Sequence, residues 1–245
     1  MKVRFAVAIV AALVLGACKP SGNGSGGATS APVAAVKAPA GQDWTETVAT
    51  TPEGGYRMGN PNAPIKLIEY GSRTCPVCGL FGREGFEPLK NKYVSTGKVS
   101  FEFREYLVHG QPDFPAALLG RCGGTGPFFA ILEQMYQEQQ PVEEKMTNAE
   151  GQALFQKLQG AKGTDVAKAW ADHLGYVDFV KQRGIPEAKA RACLNDQKDL
   201  DAIFKIMAEG DKKGVTGTPS FFINDEKNSA VSWEQLEPAL KAAGA

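Results

Sequence analysis

The chain has 245 residues, 43% of them hydrophobic and 22% charged, with Lys plus Arg and Asp plus Glu equal at 27 each. That length suits one domain with a sizeable core. Balanced charge without a basic cluster gives no support for nucleic acid as a partner.

The N-terminus reads as an export signal. Lys2 and Arg4 form a short basic region, followed by an apolar run from Phe5 to Leu15. Eleven residues are too few to span a bilayer as a helix. Leu15-Gly16-Ala17-Cys18 resembles the bacterial lipobox, in which small residues precede a cysteine that becomes lipidated. The motif predicts a signal peptide over 1–17, lipidation of Cys18 and a periplasmic protein anchored to a membrane by acyl chains. The plainer alternative is an ordinary signal followed by a free cysteine. Residues 18–45 are dominated by Gly, Ser, Ala and Pro. They cannot bury enough surface to offset their ordering entropy and read as a flexible tether. The folded domain is expected over 46–245, with Trp44 as the first aromatic residue after the signal.

Within the domain, Ile65 to Tyr70 is a strand candidate. Residues 76–94 have a helical pattern, expected to bend or break near Gly82 and Gly85. Val99 to Tyr106 alternates with period two, as a half-buried strand does. From about 113 to 212 the period is helical. Asp113 is a candidate cap, and Pro127 suits a first turn ahead of Phe128, Ile131, Leu132 and Met135. Further helix starts are expected near Asn148, Thr164 and Pro186, and another helix through Leu200, Ile203, Phe204 and Met207. A short strand follows over 220–224, then a turn at Asp225-Glu226. Ser232-Trp233-Glu234-Gln235 has the form of a capping box ahead of a last helix.

The chemistry centres on Cys75-Pro76-Val77-Cys78, directly between the first strand and its helix. A cysteine at a helix start has its thiolate stabilised by free backbone N–H groups and the helix dipole. A second cysteine one turn further in is shielded and can resolve a mixed disulfide from inside. Cys75 is therefore expected to be exposed and reactive, and Cys78 buried. A zinc site would need four ligands, and Cys122, Cys193, His109 and His173 form no second close pair. No metal and no organic cofactor are expected. A purely structural Cys75–Cys78 bridge would constrain the unfolded chain little, because its loop is so short.

Two motifs make the chain recognisable. GNPNAPIKLIEYGSRTCPVC (59–78) precedes the first helix, and GVTGTPSFFIND (214–225) lies near the end. Between them a helical block carries Arg121-Cys122 and Ala192-Cys193-Leu194. In this order and spacing they resemble the DsbA-like thiol:disulfide oxidoreductases of the thioredoxin superfamily, over about residues 57–245. The resemblance implies an α/β thioredoxin fold with an inserted helical subdomain, here about 110–212. It implies that Thr218-Pro219 forms a cis-proline loop facing Cys75 and Cys78 and contributes to substrate binding. It also supports a structural disulfide between Cys122 and Cys193, the cysteines left once Cys18 is lipidated; two buried free thiols are the alternative. The departure is Val77, where many oxidising members carry histidine between the cysteines. Valine cannot supply the charge that favours the thiolate.

Glu69 lies six residues before Cys75 on the strand face shared with Leu67 and Ile65. The resemblance aligns it with a buried acid that relays a proton to or from the second cysteine, here Cys78; an exposed strand-end glutamate is the alternative. Arg73 reads as a solvated loop residue, and His109 and His173 as surface or packing residues. Glu143 and Glu144 read as part of a solvated loop. The expected activity is thiol–disulfide exchange on exported cysteine-containing proteins, in the oxidising direction. A DsbB-like membrane oxidant would restore the disulfide. A reductase or isomerase of the same fold, fed by a membrane electron donor, is the first rival. A non-enzymatic binding lipoprotein is the second.

Overall fold

The computed structural model describes residues 30–245. The expected signal peptide and the lipidation site at Cys18 lie outside the described residues.

Strand β3 (Ile65–Gly71) forms the centre of the sheet. It runs parallel to β4 (Val99–Glu105) and antiparallel to β5 (Ser220–Ile223). A parallel pair needs a crossover, and helix α1 (Pro76–Lys92) supplies it. Two short strands, β1 (Val48–Thr50) and β2 (Tyr56–Met58), extend the sheet beyond β4, and β6 (Glu226–Asn228) extends it beyond β5. Among the described residues the order is β1-β2-β4-β3-β5-β6. The hairpin between β5 and β6 turns at Asn224 and Asp225, with φ of 51° and 68°. This is one residue earlier than the sequence suggested, because Asn and Asp tolerate the left-handed region such a turn requires.

The sheet is covered on both faces. Ile65, Leu67, Phe101, Phe103 and Phe221 pack against α1 and against α10 (Trp233–Ala242), which contributes Leu236 and Leu240. On the other face Ile68, Tyr70 and Phe222 meet Ile206. Ile206 belongs to α9 (Gln197–Lys212), the last helix of a block inserted between β4 and β5. The block begins with α2 (Asp113–Arg121), α3 (Phe128–Gln137), α4 (Gln139–Thr147) and α5 (Ala149–Lys157). It continues through α6 (Gly163–Leu174), α7 (Tyr176–Lys181) and α8 (Glu187–Leu194). The block has its own apolar core around Trp170, Leu118, Ile131 and Ile203. Cys122 and Cys193 are joined by a disulfide that ties the end of α2 to α8.

Several local expectations change. Helix α1 is unbroken through Gly82 and Gly85. These glycines admit neighbours instead: a Cβ on Gly82 would lie 2.3 Å from the Tyr136 ring. Glu143 and Glu144 lie on α4 rather than in a loop. Ser232 makes no side-chain cap; Gln235 Oε1 instead accepts from the Val231 N–H at 2.9 Å. Asp113 opens α2 but its carboxylate turns back to the preceding loop, accepting from His109 N–H at 2.8 Å.

Part of the segment expected as free tether lies along the domain. Ser30 N–H donates to Ala242 O, Val33 N–H to Gly244 O and Val36 N–H to Thr96 O, all at 2.8–2.9 Å. The indole of Trp44 donates to Val36 O at 2.7 Å. Backbone pairing, with Val33 packed on the main core and Trp44 buried, holds this stretch against the domain.

A cysteine pair between the sheet and the helical insertion

The end of β3 fixes the site. Parallel pairing continues to Gly71 against Glu105, and Tyr106 N–H closes onto Gly71 O at 2.9 Å. The chain then turns through Ser72, Arg73 and Thr74, all three buried. Cys75 is the N-cap of α1, and Pro76 occupies the first turn, where a missing N–H costs nothing. The first turn holds no acidic residue to oppose an anion.

Cys75 and Cys78 are free thiols. Cys78 is wholly buried, but Cys75 is only 5% exposed, against the expectation of an exposed thiol. Its surroundings explain this. Cys75 opens into a cavity of about 470 Å³ lined by Tyr106, Leu107, Val108, Met207, Gly217 and Thr218. Its sulfur lies 3.4 Å from Thr218 O and accepts from Cys78 N–H, also at 3.4 Å. The Thr218–Pro219 peptide is cis.

The two thiols are electrostatically unequal. The hydrogen bond from the Cys78 thiol lowers Cys75 to about 6, against the effect of burial and with help from the backbone N–H of Cys78. Val77 brings no charge to the sulfur, and the residue is exposed. Burial pushes Cys78 well above the ordinary thiol range, and the hydrogen bond to Cys75 and the charge of Glu69 add to the rise. Glu69 is 1% exposed and its Oε1 has no partner. Burial raises its carboxyl well above the usual range, with Cys75 and Glu105 adding repulsion. A neutral buried acid therefore stands close to the buried thiol.

Several contacts around the pair were not evident from the sequence. Arg73, read as solvated, is buried. Its Nη2 and Nε lie 2.8 and 2.9 Å from Glu105 Oε1, and its guanidinium stacks 4.8 Å over the Phe128 ring. Gly120 of α2 leaves room for this, since a Cβ there would lie 2.2 Å from the guanidinium carbon. Gln139, at the start of α4, donates through Nε2 to Arg73 O and Cys75 O at 3.2 and 2.8 Å. Tyr136 is buried against the same turn, its hydroxyl 3.4 Å from Ser72 O. Thr74 binds His109 and Asp113. The insertion thus grips the cysteine loop from three elements. Among the described residues no cluster of His, Cys, Asp and Glu could hold a metal, and no helix is long and apolar enough to cross a membrane.

Known proteins share this fold. The thioredoxin family profile matches residues 51–242, and the chain belongs to that family. A relative from Rickettsia prowazekii, named as a protein-disulfide oxidoreductase, is 30% identical over 76% of this chain and 60% of its own length. The chain thus spans about 60% of the length of the first curated relatives it matches. Disulfide bond formation protein D of Bacillus subtilis is 22% identical over 75% of this chain and 74% of its own. The crystal structure of a protein-disulfide isomerase from Novosphingobium aromaticivorans aligns with a TM-score of 0.72 and 26% identity, covering 76% of this chain and 95% of that one. Wolbachia pipientis alpha-DsbA1 shares the fold, with a TM-score of 0.60, 23% identity and coverage of 78% and 92%. The architecture is therefore a DsbA-type thioredoxin fold with a helical insertion.

Proposed function

We propose that this thioredoxin-family protein is an exported thiol:disulfide oxidoreductase that oxidises cysteine pairs of other exported proteins through Cys75 and Cys78. The observation that carries the reading is the inequality of the two thiols. A cysteine lowered to about 6 and opening into a cavity stands beside one that is wholly buried and held in its neutral form.

The reaction starts from the Cys75–Cys78 disulfide. A substrate thiolate attacks the Cys75 sulfur, the bond between the two enzyme sulfurs breaks, and Cys78 leaves with the electron pair. Cys78 then takes up a proton, for which Glu69 is placed as the buried relay. A second substrate thiolate attacks the substrate sulfur of the mixed disulfide and expels Cys75 as a thiolate. Two electrons have passed to the enzyme, and the substrate has gained one disulfide. A stabilised Cys75 thiolate makes a good leaving group and favours the reduced enzyme, which is what an oxidant requires. A DsbB-like membrane oxidant would accept the electrons, and no metal or organic cofactor enters. Thr218 and Pro219 line the approach of an extended substrate, for which backbone pairing at Thr218 is the simplest mode. Lipidation at Cys18, after removal of residues 1–17, would hold the domain at the periplasmic face of a membrane.

The test is the reduction potential in a glutathione redox buffer. A value at or above the glutathione range of roughly −220 to −260 mV supports an oxidant, and a much lower one a reductase. Isomerase activity is the second reading, favoured by the likeness to the Novosphingobium protein-disulfide isomerase and by Val77 in place of a charged neighbour. Rescue of a scrambled multi-disulfide substrate by the reduced protein distinguishes it.

A further inference from the structure

Next to the cysteine pair, but outside the steps above, lies a chain of polar contacts ending at one of the protein's two histidines. Thr74 directly precedes Cys75 and is wholly buried. Its hydroxyl donates to Asp113 Oδ1 and lies 3.1 Å from Ser72 Oγ and 2.8 Å from His109 Nδ1. A hydroxyl has one proton to give. With that proton directed to the carboxylate, Thr74 Oγ1 can only accept from the imidazole, so Nδ1 carries hydrogen. Asp113 Oδ2 separately accepts from His109 N–H at 2.8 Å. The first contact orients the ring and the second holds its backbone, which leaves Nε2 as the nitrogen that gains or loses the proton. The His109 side chain is 37% exposed, so protons reach it from solvent.

We propose that His109, held by Thr74 and Asp113, is a positioning residue whose imidazolium charge supports the Cys75 thiolate and so supplies, from the insertion, the charge that Val77 cannot. The inference rests on Cys75 being the reactive thiol. Two links carry His109 to the site: Tyr106, Leu107 and Val108 of its own loop line the cavity over Cys75, and its ring contacts Thr74, the residue before Cys75, while lining the adjoining groove. The charged groups facing the ring are Asp113 from α2, Cys75 at the head of α1 and Glu143 from α4. Trp170 of α6 and Gln152 and Gln156 of α5 line the adjoining groove and carry no charge. The Asp113 carboxylate holds the imidazole above its ordinary range against partial burial, with Cys75 and Glu143 adding to the rise. Coupling between two protonation sites is reciprocal: what a thiolate at Cys75 does for His109, a charged His109 does for Cys75. A disulfide has no charge at that sulfur, so His109 favours the dithiol over the disulfide.

The test follows the imidazole signals by NMR as pH is varied, in the full protein as dithiol and as chemically formed disulfide. With two histidines the assignment is simple, and His173 is the internal reference. His109 should bind its proton about two- to fivefold more tightly in the dithiol form, the size of one partly solvated charge interaction. His109→Gln should lower the Cys75 thiolate-to-thiol ratio by the same factor, read from thiolate absorbance, and His109→Lys should restore it. Equal His109 midpoints in the two redox forms overturn the proposal, and that measurement needs no variant. So does a His109→Gln protein with an unchanged Cys75 profile. Because the disulfide is made chemically, neither outcome depends on the protein oxidising others, and failure of that activity would show separately in the glutathione assay.

Discussion

The sulfur of Cys75 lies 3.4 Å from the carbonyl oxygen of Thr218, although 143 residues separate them in the chain. Any partner that reaches this sulfur must therefore pass beside residues 216–218, which form one wall of the cavity. With Cys75 lowered to about 6, about nine-tenths of it is thiolate at pH 7. Alkylation of the native dithiol should rise with pH through about 6 and then level off. It should modify Cys75 alone until the protein unfolds. In Cys78→Ala, mixed disulfides with substrate should accumulate through Cys75, as mass spectrometry would show. Trapping that survives loss of Cys75 would reverse the assignment.

Arg73 and Glu105 form an ion pair with side chains 0% and 1% exposed. Removing one partner strands the other in the core. Arg73→Met should cost about 3–5 kcal/mol in chemical denaturation, and Arg73→Met with Glu105→Gln should recover most of it. Burial already raises Glu105 above the usual carboxyl range, and Arg73 opposes that rise. Without Arg73 the folded-state value climbs further. A raised carboxyl contributes stability that is present below its unfolded value and lost as pH rises through its folded one. The deficit of Arg73→Met should accordingly grow with pH, and a deficit independent of pH would contradict this account.

The Cys122–Cys193 disulfide spans 71 residues, most of the helical insertion. In the chain-entropy model a loop of that length contributes roughly 4 kcal/mol. The double alanine variant should lose thermal stability, while the alkylation profile of Cys75 stays unchanged because the insertion grips the active-site turn through α2, α3 and α4. A shifted profile would mean that the bridge also sets the active-site geometry.

Helix α1 depends on close approach at two glycines. A Cβ on Gly79 would lie 2.0 Å from Gln139 Oε1, and one on Gly82 2.3 Å from the Tyr136 ring. Gly82→Ala gains helix propensity in isolation but overpacks a buried aromatic, and should destabilise by about 1–3 kcal/mol. Gly79→Ala should in addition displace Gln139 from the Cys75 carbonyl and change the thiol profile. A stabilised Gly82→Ala would show that Tyr136 yields easily.

These residues mark where the sequence stops being legible. Cys75-Pro76-Val77-Cys78 and Thr218-Pro219 are contiguous strings with their own signature. Arg73, Glu105, Gln139 and Tyr136 carry no such signature, because their meaning lies in contacts across 32 to 66 residues. Gly82 and Gly85 looked like helix breakers, since propensity is local and the packing that overrides it is not. Strand β4 alternates apolar and polar residues and reads as half-buried, yet all seven of its residues are buried. Its polar face is accommodated by the Glu102–Arg104 pair at 2.6 Å and by Thr51 and Tyr70. Strands β1 and β2 are three residues each, too short for any period to show.

Glu69 offers the sharpest separation of stability from activity. Its carboxyl is buried, lacks a partner at Oε1 and is raised well above the usual range by burial, with repulsion from Cys75 and Glu105. The folded state therefore binds the Glu69 proton more tightly than the unfolded chain does. Stability from this group is full below the unfolded value near 4.5 and declines as pH rises towards the folded one. Glu69→Gln cannot ionise, so its denaturation midpoint should fall less with rising pH than that of the parent, and the two curves should converge in acid. Activity should move the other way. Cys78, itself raised by burial and by the neighbouring carboxylate, must gain or lose its proton inside the core. The amide has none to relay, so the step that protonates or deprotonates Cys78 should slow several-fold while alkylation of Cys75 changes little. Stopped-flow measurement of mixed-disulfide formation and resolution across pH 5–9 separates the two steps. An unchanged resolution profile in Glu69→Gln, with its altered pH dependence of stability intact, would leave Glu69 a buried structural acid and require another route for the proton.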